Sequence, residues 1–338
     1  TPFMATGNSL SRFHPAVASW FSEEVGEPTP VQIEAWHHIG SGAHCLISAP
    51  TGTGKTLAAF LTAIDRLLAG DTGRILYISP LKALNYDIER NLNTPLQALR
   101  SRFEARGAPI PDVRVGVRSG DTDRNERRRL ISRPPQILVT TPESLNLMLS
   151  SKNGLRGLEG FETVILDEIH AVLSSKRGTY LMSGVERLVD ICGEFQRIAL
   201  SATVRPMDRV AQIVGARMVV GEGSNLTYEP RKVEEINIPS GKRYELRIAH
   251  PELRRESGSP GAAGIAPGTP EAREEWWHAI TRRLHSHIAA NRSTLIFANS
   301  RRMVEKLARF LNDEGELPAY AHHGSLSREV RRVVEARL

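Results

Sequence analysis

The sequence predicts an α/β protein in which parallel sheets are covered by helices on both faces. First, short apolar runs alternate with helix-like segments along most of the chain, an order typical of parallel sheets. Second, a glycine-rich turn and an acidic turn follow two of these runs, as expected where functional groups leave the carboxyl ends of strands. Third, 338 residues at roughly 150 per domain allow about two domains. We therefore expect two α/β lobes.

Seven apolar runs predict the strands of the first lobe, residues 1–225. Strands that are buried on both faces read as continuous apolar runs, because neither face meets water. The runs lie at residues 44–48, 74–78, 113–117, 136–139, 164–166, 197–200 and 218–220. The last of them is expected to close the sheet.

The second lobe is assigned to residues 226–338. It opens with a strand pair and a turn at 239–242, followed by a stretch rich in Gly, Pro, Ala and Ser that predicts a mobile loop near 255–272. A helix over 274–290, a strand over 294–297 and a helix over 303–311 then begin an α/β unit. The sequence ends before such a unit is finished, so we expect the second lobe to be incomplete.

Residues 49–56, Ala-Pro-Thr-Gly-Thr-Gly-Lys-Thr, lie between an apolar run and an amphipathic helical pattern, which is typical of a triphosphate-binding loop. Glycines let the backbone curl so that successive N–H groups point at phosphate oxygens beside a helix N-terminus. The lysine would reach the β- and γ-phosphates, and the last threonine would bind Mg²⁺. The alternative is a chance glycine-rich turn, and the strict pattern has Gly where this chain has Ala49. The predicted ATP-binding residues of the loop are Thr51, Gly52, Thr53, Gly54, Lys55 and Thr56.

Two carboxylates follow the apolar run at 164–166. Asp167 would hold the Mg²⁺ that Thr56 also binds, and Glu168 would orient and deprotonate the attacking water. His170 would sense the γ-phosphate. An apolar run that ends in two acids is by itself a frequent accident, but together with the phosphate loop it predicts an ATP hydrolase. The predicted catalytic residues are Asp167, Glu168, His170 and Lys55.

Composition narrows the class of protein without identifying it. The 44 Lys and Arg against 38 Asp and Glu give a net charge of +6, which favours a polyanionic partner. Two cysteines, Cys45 and Cys192, exclude a disulfide framework and suit a reducing cytoplasm. No apolar stretch approaches ~18 residues, so a membrane span is not expected. The adjacent His322 and His323 lack Cys or carboxylate neighbours at ligand spacing, so Mg²⁺ is the one metal expected.

Further segments resemble those of superfamily 2 helicases of the DExH type, and more narrowly those of the large helicase-related (Lhr) family. They occur in the family's order at residues 28–32, 79–85, 118–122, 140–144, 201–203, 297–302 and 322–329. The resemblance implies that both lobes are RecA-like. It also implies that Gln32 reads the adenine, and that Ser201 and Thr203 couple hydrolysis to movement.

Loops at the strand ends are expected to hold nucleic acid by its sugar-phosphate backbone, because a motor that ignores base identity needs such contacts. For Thr141 the alternative is a helix cap, since Thr followed by Pro and Glu is a good helix start. Both roles can hold together, because free N–H groups at a helix start also bind phosphate. The candidates are Lys82, Ser119, Thr141 and Arg301.

The resemblance implies an ATP-dependent motor that uses ATP and Mg²⁺. It would track along single-stranded or partly duplex nucleic acid, with DNA favoured, in the 3′-to-5′ sense, and would serve DNA repair in the cytoplasm. The alternatives are an RNA helicase, a double-stranded translocase that separates no strands, and a nucleotide-gated DNA-binding module. The family pattern continues into a motif with arginine fingers that this sequence does not contain, so we expect weak ATP turnover. The oligomeric state stays open.

Overall fold

The computed structural model describes residues 9–70, 73–80, 82–105, 112–221, 225–239, 246–250, 269–314, 318–335 and 337, and it contains a parallel sheet of seven strands. The strands of the described ranges are β1 (His44–Ser48), β2 (Arg74–Ile78), β3 (Val115–Arg118), β4 (Ile137–Thr140), β5 (Phe161–Leu166), β6 (Gln196–Ser201), β7 (Arg217–Val220), β8 (Thr227–Pro230) and β9 (Val233–Asn237). The main sheet has the order β3-β4-β2-β5-β6-β1-β9, and all neighbouring strands in it are parallel. The predicted α/β class is confirmed.

Helices connect the strands and cover both faces of the main sheet. The chain has two compact units, Thr1–Lys242 and Arg243–Leu338. The helices of the first unit are α1 (Pro15–Glu24), α2 (Pro30–Gly40), α3 (Lys55–Leu68), α4 (Lys82–Ala105), α5 (Arg124–Ser132), α6 (Pro142–Leu149), α7 (Lys152–Gly157), α8 (Lys176–Cys192) and α9 (Met207–Gly215). Short 3₁₀ helices lie at Ser9–Arg12 and Ile169–Ala171. The second unit holds α10 (Pro270–Ala289), α11 (Arg301–Glu314) and α12 (Arg328–Glu335). None of the helices in the described ranges is both long and apolar enough for a membrane crossing.

Alternate residues of the strands enter two apolar cores, because successive side chains of a strand point to opposite faces. In β2, Ile75 and Tyr77 join the core that contains residues of α1, α2, α3 and α4. Leu76 and Ile78 join the other core, with residues of α6, α8 and α9. The main-sheet strands are therefore buried on both faces, which explains their continuous apolar runs.

The prediction that residues 218–220 close the main sheet is wrong. They lie in β7, which pairs antiparallel with β8 in a separate two-stranded sheet. Residues of β7 are alternately exposed, as in a strand with one wet face. The outer position beside β1 belongs instead to β9, whose sequence Val-Glu-Glu-Ile-Asn has only Ile236 fully buried. Charged residues are typical of an edge strand, and they hide it from a search for apolar runs.

The boundary predicted at 225/226 lies too early. The chain divides into two compact units, Thr1–Lys242 and Arg243–Leu338, because β9 belongs to the sheet of the first unit. The predicted turn at 239–242 lies largely outside the described residues, as does the loop near 255–272 up to residue 268. Residues 270–272 belong to α10.

In the second unit, α10 and α11 pack around Trp277, Leu307 and Phe310, with the rings of Trp277 and Phe310 stacked at 5.9 Å between centroids. The predicted helices over 274–290 and 303–311 correspond to α10 and α11. The predicted strand over 294–297 is wrong for this structure, because these residues pair with no strand of the described part of the unit. Their alternation persists, since Ile296 packs on the core while Phe297 is exposed.

An ionic cluster connects β6 to α8 and to Arg231, which lies between β8 and β9. The guanidinium of Arg197 is fully buried, pairs with Glu186, and donates to the carbonyl of Val214 at 3.1 Å. Arg231 contacts the same acid at 3.2 Å and Glu194 at 2.7 Å. Burial lowers the pKa of Arg197 and its ion pair with Glu186 opposes that shift. The two arginines therefore depend on shared acids to stay charged inside the protein.

Candidate functional site

The candidate site lies at the carboxyl ends of β5, β6 and β1, which are neighbours in this order. The backbone N–H of Ala49 donates to the carbonyl of Ser201 at 3.3 Å, which ties the residue after β1 to the end of β6. The Ser48 hydroxyl donates to the carbonyl of Ala202 at 3.3 Å. The sheet order thus brings the glycine-rich loop, the acidic turn and the predicted coupling segment together.

The glycine-rich loop turns directly into α3. Gly52 and Gly54 have φ of 78° and 85°, in the left-handed region that glycine adopts most readily. A Cβ at Gly52 would meet nothing within 4 Å, whereas one at Gly54 would lie 2.4 Å from Nε2 of Gln32. Gly52 is therefore required by its backbone angle alone, and Gly54 by its backbone angle and its close neighbour.

Lys55 is the first residue of α3 and is 7% exposed. Its Nζ donates to the carbonyls of Ala49 and Pro50 at 2.6 and 2.8 Å, so the ammonium closes the loop from inside. Burial lowers its pKa, and the negative charges of Glu168 and Asp167 oppose that shift. The ammonium and both acids therefore share one electrostatic site, and phosphate oxygens are groups that such an ammonium can bind.

Asp167 follows β5 and is 5% exposed. Its Oδ1 accepts the backbone N–H of Glu168 at 2.8 Å, and its Oδ2 accepts a hydrogen bond from the hydroxyl of Tyr77 in β2. Burial raises the pKa of Asp167, while the bond from Tyr77 is the largest of the effects that lower it. The same burial, with the charge of Asp167, raises the pKa of the Tyr77 hydroxyl. In this bond Tyr77 is the donor and Asp167 the acceptor.

Glu168, His170 and Ser201 form a series of polar contacts. Glu168 has φ of 48°, and this left-handed turn sends the chain from β5 into the 3₁₀ helix Ile169–Ala171. His170 Nδ1 accepts the N–H of Ala202 at 3.3 Å and lies 3.2 Å from the Ser201 hydroxyl. Since Nδ1 accepts, the ring proton belongs on Nε2, which lies 3.3 Å from a carboxylate oxygen of Glu168. His170 therefore joins Glu168 to the end of β6.

The remaining predicted nucleotide residues lie on or beside the loop. Thr51 is exposed, while Thr53 and Thr56 are half-buried. Gln32 is buried: its Oε1 accepts the N–H of Thr29 at 2.9 Å, and its Nε2 donates to the carbonyl of Gly54 at 3.5 Å. The carboxamide thus contacts the loop, and adenine reading by Gln32 stays a prediction.

The residues predicted to bind nucleic acid differ in their burial and in their hydrogen-bond partners. Thr141 is 1% exposed and its hydroxyl caps α6 by accepting the N–H of Ser144 at 3.2 Å, so the capping alternative is confirmed. Ser119 is equally buried, and its hydroxyl accepts the N–H of Asp121 at 3.2 Å. Both hydroxyls face the protein's own backbone. Contacts of these side chains with nucleic acid stay predictions.

Two further predicted residues and one coupling residue complete the set. Arg301 begins α11 in the second unit, is exposed, and donates from Nη1 to the Ser325 hydroxyl at 2.5 Å. Lys82 begins α4, and its side chain lies outside the described part of the chain. Thr203 is exposed two residues beyond β6. The residue that the sequence did not single out is Tyr77, because a tyrosine inside an apolar run reads as core.

Comparison with known proteins shows the family of the chain. A family model described as DEAD/DEAH box helicase matches residues 29–210. The chain is 38% identical to the Lhr helicase/uracil glycosylase of Escherichia coli K12, over 96% of this chain and 23% of that protein. It is 39% identical to ATP-dependent helicase Lhr-Core protein 2 of Thermococcus barophilus, over 95% of this chain and 36% of that protein.

A solved structure gives the same result for the fold. The chain superposes on Mycobacterium smegmatis helicase Lhr bound to ssDNA and AMP-PNP with a TM-score of 0.81 and 40% identity, over 98% of this chain and 40% of that one. The predicted resemblance to Lhr helicases is thereby confirmed. The chain spans less than two fifths of the length of these curated relatives.

Proposed function

Since the chain belongs to the DEAD/DEAH box helicase family, we propose that it binds and hydrolyses ATP and uses this reaction to move along DNA. The observation that carries the proposal is the proximity of Lys55, which follows the loop after β1, to Asp167 and Glu168, which follow β5, with β6 between these two strands. Phosphate binding needs the ammonium and free loop N–H groups, and hydrolysis needs a carboxylate that can take a proton from water.

Each side chain then has one task. The N–H groups of residues 52–56 and the Lys55 ammonium would hold the phosphates. Glu168 would accept a proton from the attacking water, and the Nε2 proton of His170 would fix the orientation of its carboxylate. Gln32 would contact the adenine while its carboxamide stays close to the loop.

The oxygen donors of Thr56 and Asp167 fit the preference of Mg²⁺ for hydroxyl and carboxylate ligands. These two residues would hold the ion, which when bound supplies positive charge to the phosphate oxygens. The Asp167 carboxylate suits this role because hydrogen bonds to both of its oxygens fix its orientation.

DNA is proposed as the track because the Mycobacterium smegmatis Lhr structure, at 40% identity, has ssDNA bound. The net charge of +6 agrees with a polyanionic partner. Lys82, Ser119, Thr141 and Arg301 are its proposed contacts. Tracking in the 3′-to-5′ sense and a role in DNA repair in the cytoplasm are proposed from the resemblance to Lhr helicases.

Single-turnover ATP hydrolysis, with and without a single-stranded DNA oligonucleotide, tests the reaction. We expect DNA to accelerate it, and Glu168→Gln to slow it about 100-fold or more while ATP binding persists, since general-base catalysis contributes about 10²–10⁴-fold. Glu229→Gln, an exposed carboxamide substitution in β8, is the matched control and should leave the rate unchanged. A Glu168→Gln rate equal to wild type would show that the proton acceptor is misassigned.

The track and direction need a separate experiment. RNA and DNA oligonucleotides of one sequence should differ, with DNA giving the larger acceleration, and duplexes with a 3′ tail should separate more readily than those with a 5′ tail. Acceleration by RNA alone would point to an RNA helicase. DNA binding that depends on ATP without any hydrolysis would point to a nucleotide-gated binding module.

A further inference from the structure

Tyr77 is a buried polar residue beside the candidate site, and its hydroxyl supplies one of the two hydrogen bonds to the Asp167 carboxylate. It lies in β2 with no exposed surface, and its ring stacks on Phe60 of α3 at 5.3 Å between centroids. Its hydroxyl donates to Oδ2 of Asp167, and the Ser79 hydroxyl hydrogen-bonds to the Tyr77 oxygen. A Phe would fill the same space, so packing alone does not explain the hydroxyl.

The contact bears on the orientation of the Asp167 carboxylate. A carboxyl group on a short side chain can rotate about its last bond, and that torsion has broad wells. Here one oxygen is held by the Glu168 N–H at 2.8 Å and the other by Tyr77. Two donors from different directions leave one rotational state, with the remaining lone pairs available to an ion.

We propose that Tyr77 is a positioning residue for Mg²⁺: its hydroxyl fixes the Asp167 carboxylate in the orientation that, with Thr56, holds the ion. The inference rests on the proposed function, since it presumes that Asp167 binds Mg²⁺ together with ATP. Groups that orient a metal ligand typically change metal affinity or activity by about 10- to 100-fold when they are removed. Because Glu168 N–H still holds the other oxygen in a Tyr77→Phe protein, we expect the lower end of this range.

The test measures binding, so that it does not depend on turnover. A fluorescent AMP-PNP analogue is titrated into wild type and Tyr77→Phe at a series of Mg²⁺ concentrations and in EDTA. We expect the Mg²⁺ concentration at half-maximal binding to rise about 10-fold in Tyr77→Phe, while the affinity in EDTA stays within about twofold. Tyr228→Phe, at an exposed tyrosine in β8, is the matched control and should equal wild type.

Ser79→Ala keeps the Tyr77 hydroxyl but removes its own hydrogen-bond partner, so a smaller rise, about two- to threefold, is expected. This variant also decides the case in which Tyr77→Phe does not fold: a rise in Ser79→Ala then supports the inference, and a wild-type value overturns it.

Three further results overturn the proposal. The first is a wild-type Mg²⁺ requirement in folded Tyr77→Phe. The second is an equal loss of affinity in EDTA and in Mg²⁺, which would mean that the hydroxyl supports the whole site and not the ion. The third is wild-type protein that binds the nucleotide equally with and without Mg²⁺, which would refute the proposed function itself and this inference with it.

Discussion

Alanine substitutions at Gly52 and Gly54 separate two reasons for a glycine in the nucleotide loop. Both residues have left-handed backbones, at φ of 78° and 85°, and such a conformation costs an L-residue roughly 1–2 kcal/mol. The added Cβ at Gly52 meets open space, so Gly52→Ala should lose that amount and no more.

At Gly54 the Cβ would lie 2.4 Å from Nε2 of Gln32, well inside contact distance. Nε2 is the far end of a flexible side chain, so Gln32 can move away, but it then gives up the bond from Thr29 N–H at 2.9 Å. A hydrogen bond of this kind contributes about 1 kcal/mol. Gly54→Ala should therefore be less stable than Gly52→Ala by about 1 kcal/mol.

Thermal unfolding without nucleotide measures the difference. For a unit of this size 1 kcal/mol corresponds to about 2–4 °C in Tm. In the double variant Gln32→Ala/Gly54→Ala the collision is absent, so the additional loss should disappear, giving a coupling of about 1 kcal/mol in a double-mutant cycle. Equal Tm values for Gly52→Ala and Gly54→Ala, or a coupling of zero, would refute the reasoning.

Three more changes have defined outcomes. Lys55→Ala should lower the affinity for a fluorescent ATP analogue about 10- to 100-fold, as expected for a charged donor worth about 1.5–3 kcal/mol, and an unchanged Kd would contradict this. Glu186→Gln leaves Arg197 buried beside a neutral partner; since Glu186 is 35% exposed we expect ~2 kcal/mol of lost stability in urea unfolding, below the usual ~3–5. Glu126→Gln removes an exposed pair and should change stability by less than ~0.5 kcal/mol; a similar loss in both would show that burial is irrelevant. Thr141→Ala should cost about 1 kcal/mol through its lost helix cap, whereas Thr141→Ser should keep most of that stability.

The sequence predicts those parts of the fold in which the local pattern of apolar residues follows directly from the burial of the strand. Residues 44–48 and 74–78 are apolar because they are buried on both faces, and the strands have these bounds in the structure. The search for apolar runs does not find β9, because this strand lies at the edge of the sheet beside β1 and carries two glutamates. The same apolar signal predicts a strand at residues 294–297, but a strand also needs a hydrogen-bonding partner, which a local pattern does not supply.

For the candidate site, the loop and the acidic turn were predictable because spacing fixes their local geometry. Tyr77 was not, because its hydroxyl finds Asp167 across 90 positions of sequence, and only the pairing of β2 with β5 puts the two side by side. For Ser119 and Thr141 the sequence predicts the position in the chain but not the direction in which the hydroxyl points. The sequence placed them at strand ends, yet whether a hydroxyl faces solvent or its own turn depends on torsions that a motif does not encode.

The order of strands sets how far apart the parts of the candidate site lie. β6 lies between β1, which ends at the loop, and β5, which ends at Asp167. Two strand spacings of ~4.8 Å separate the ends of β1 and β5 by about 10 Å, wider than a single phosphate group. Across that gap, Ser201 and the N–H of Ala202 contact His170, which faces Glu168. A movement of β6 relative to β5 would therefore change the contacts of His170 with the end of β6 and, through His170, the orientation of the proposed proton acceptor.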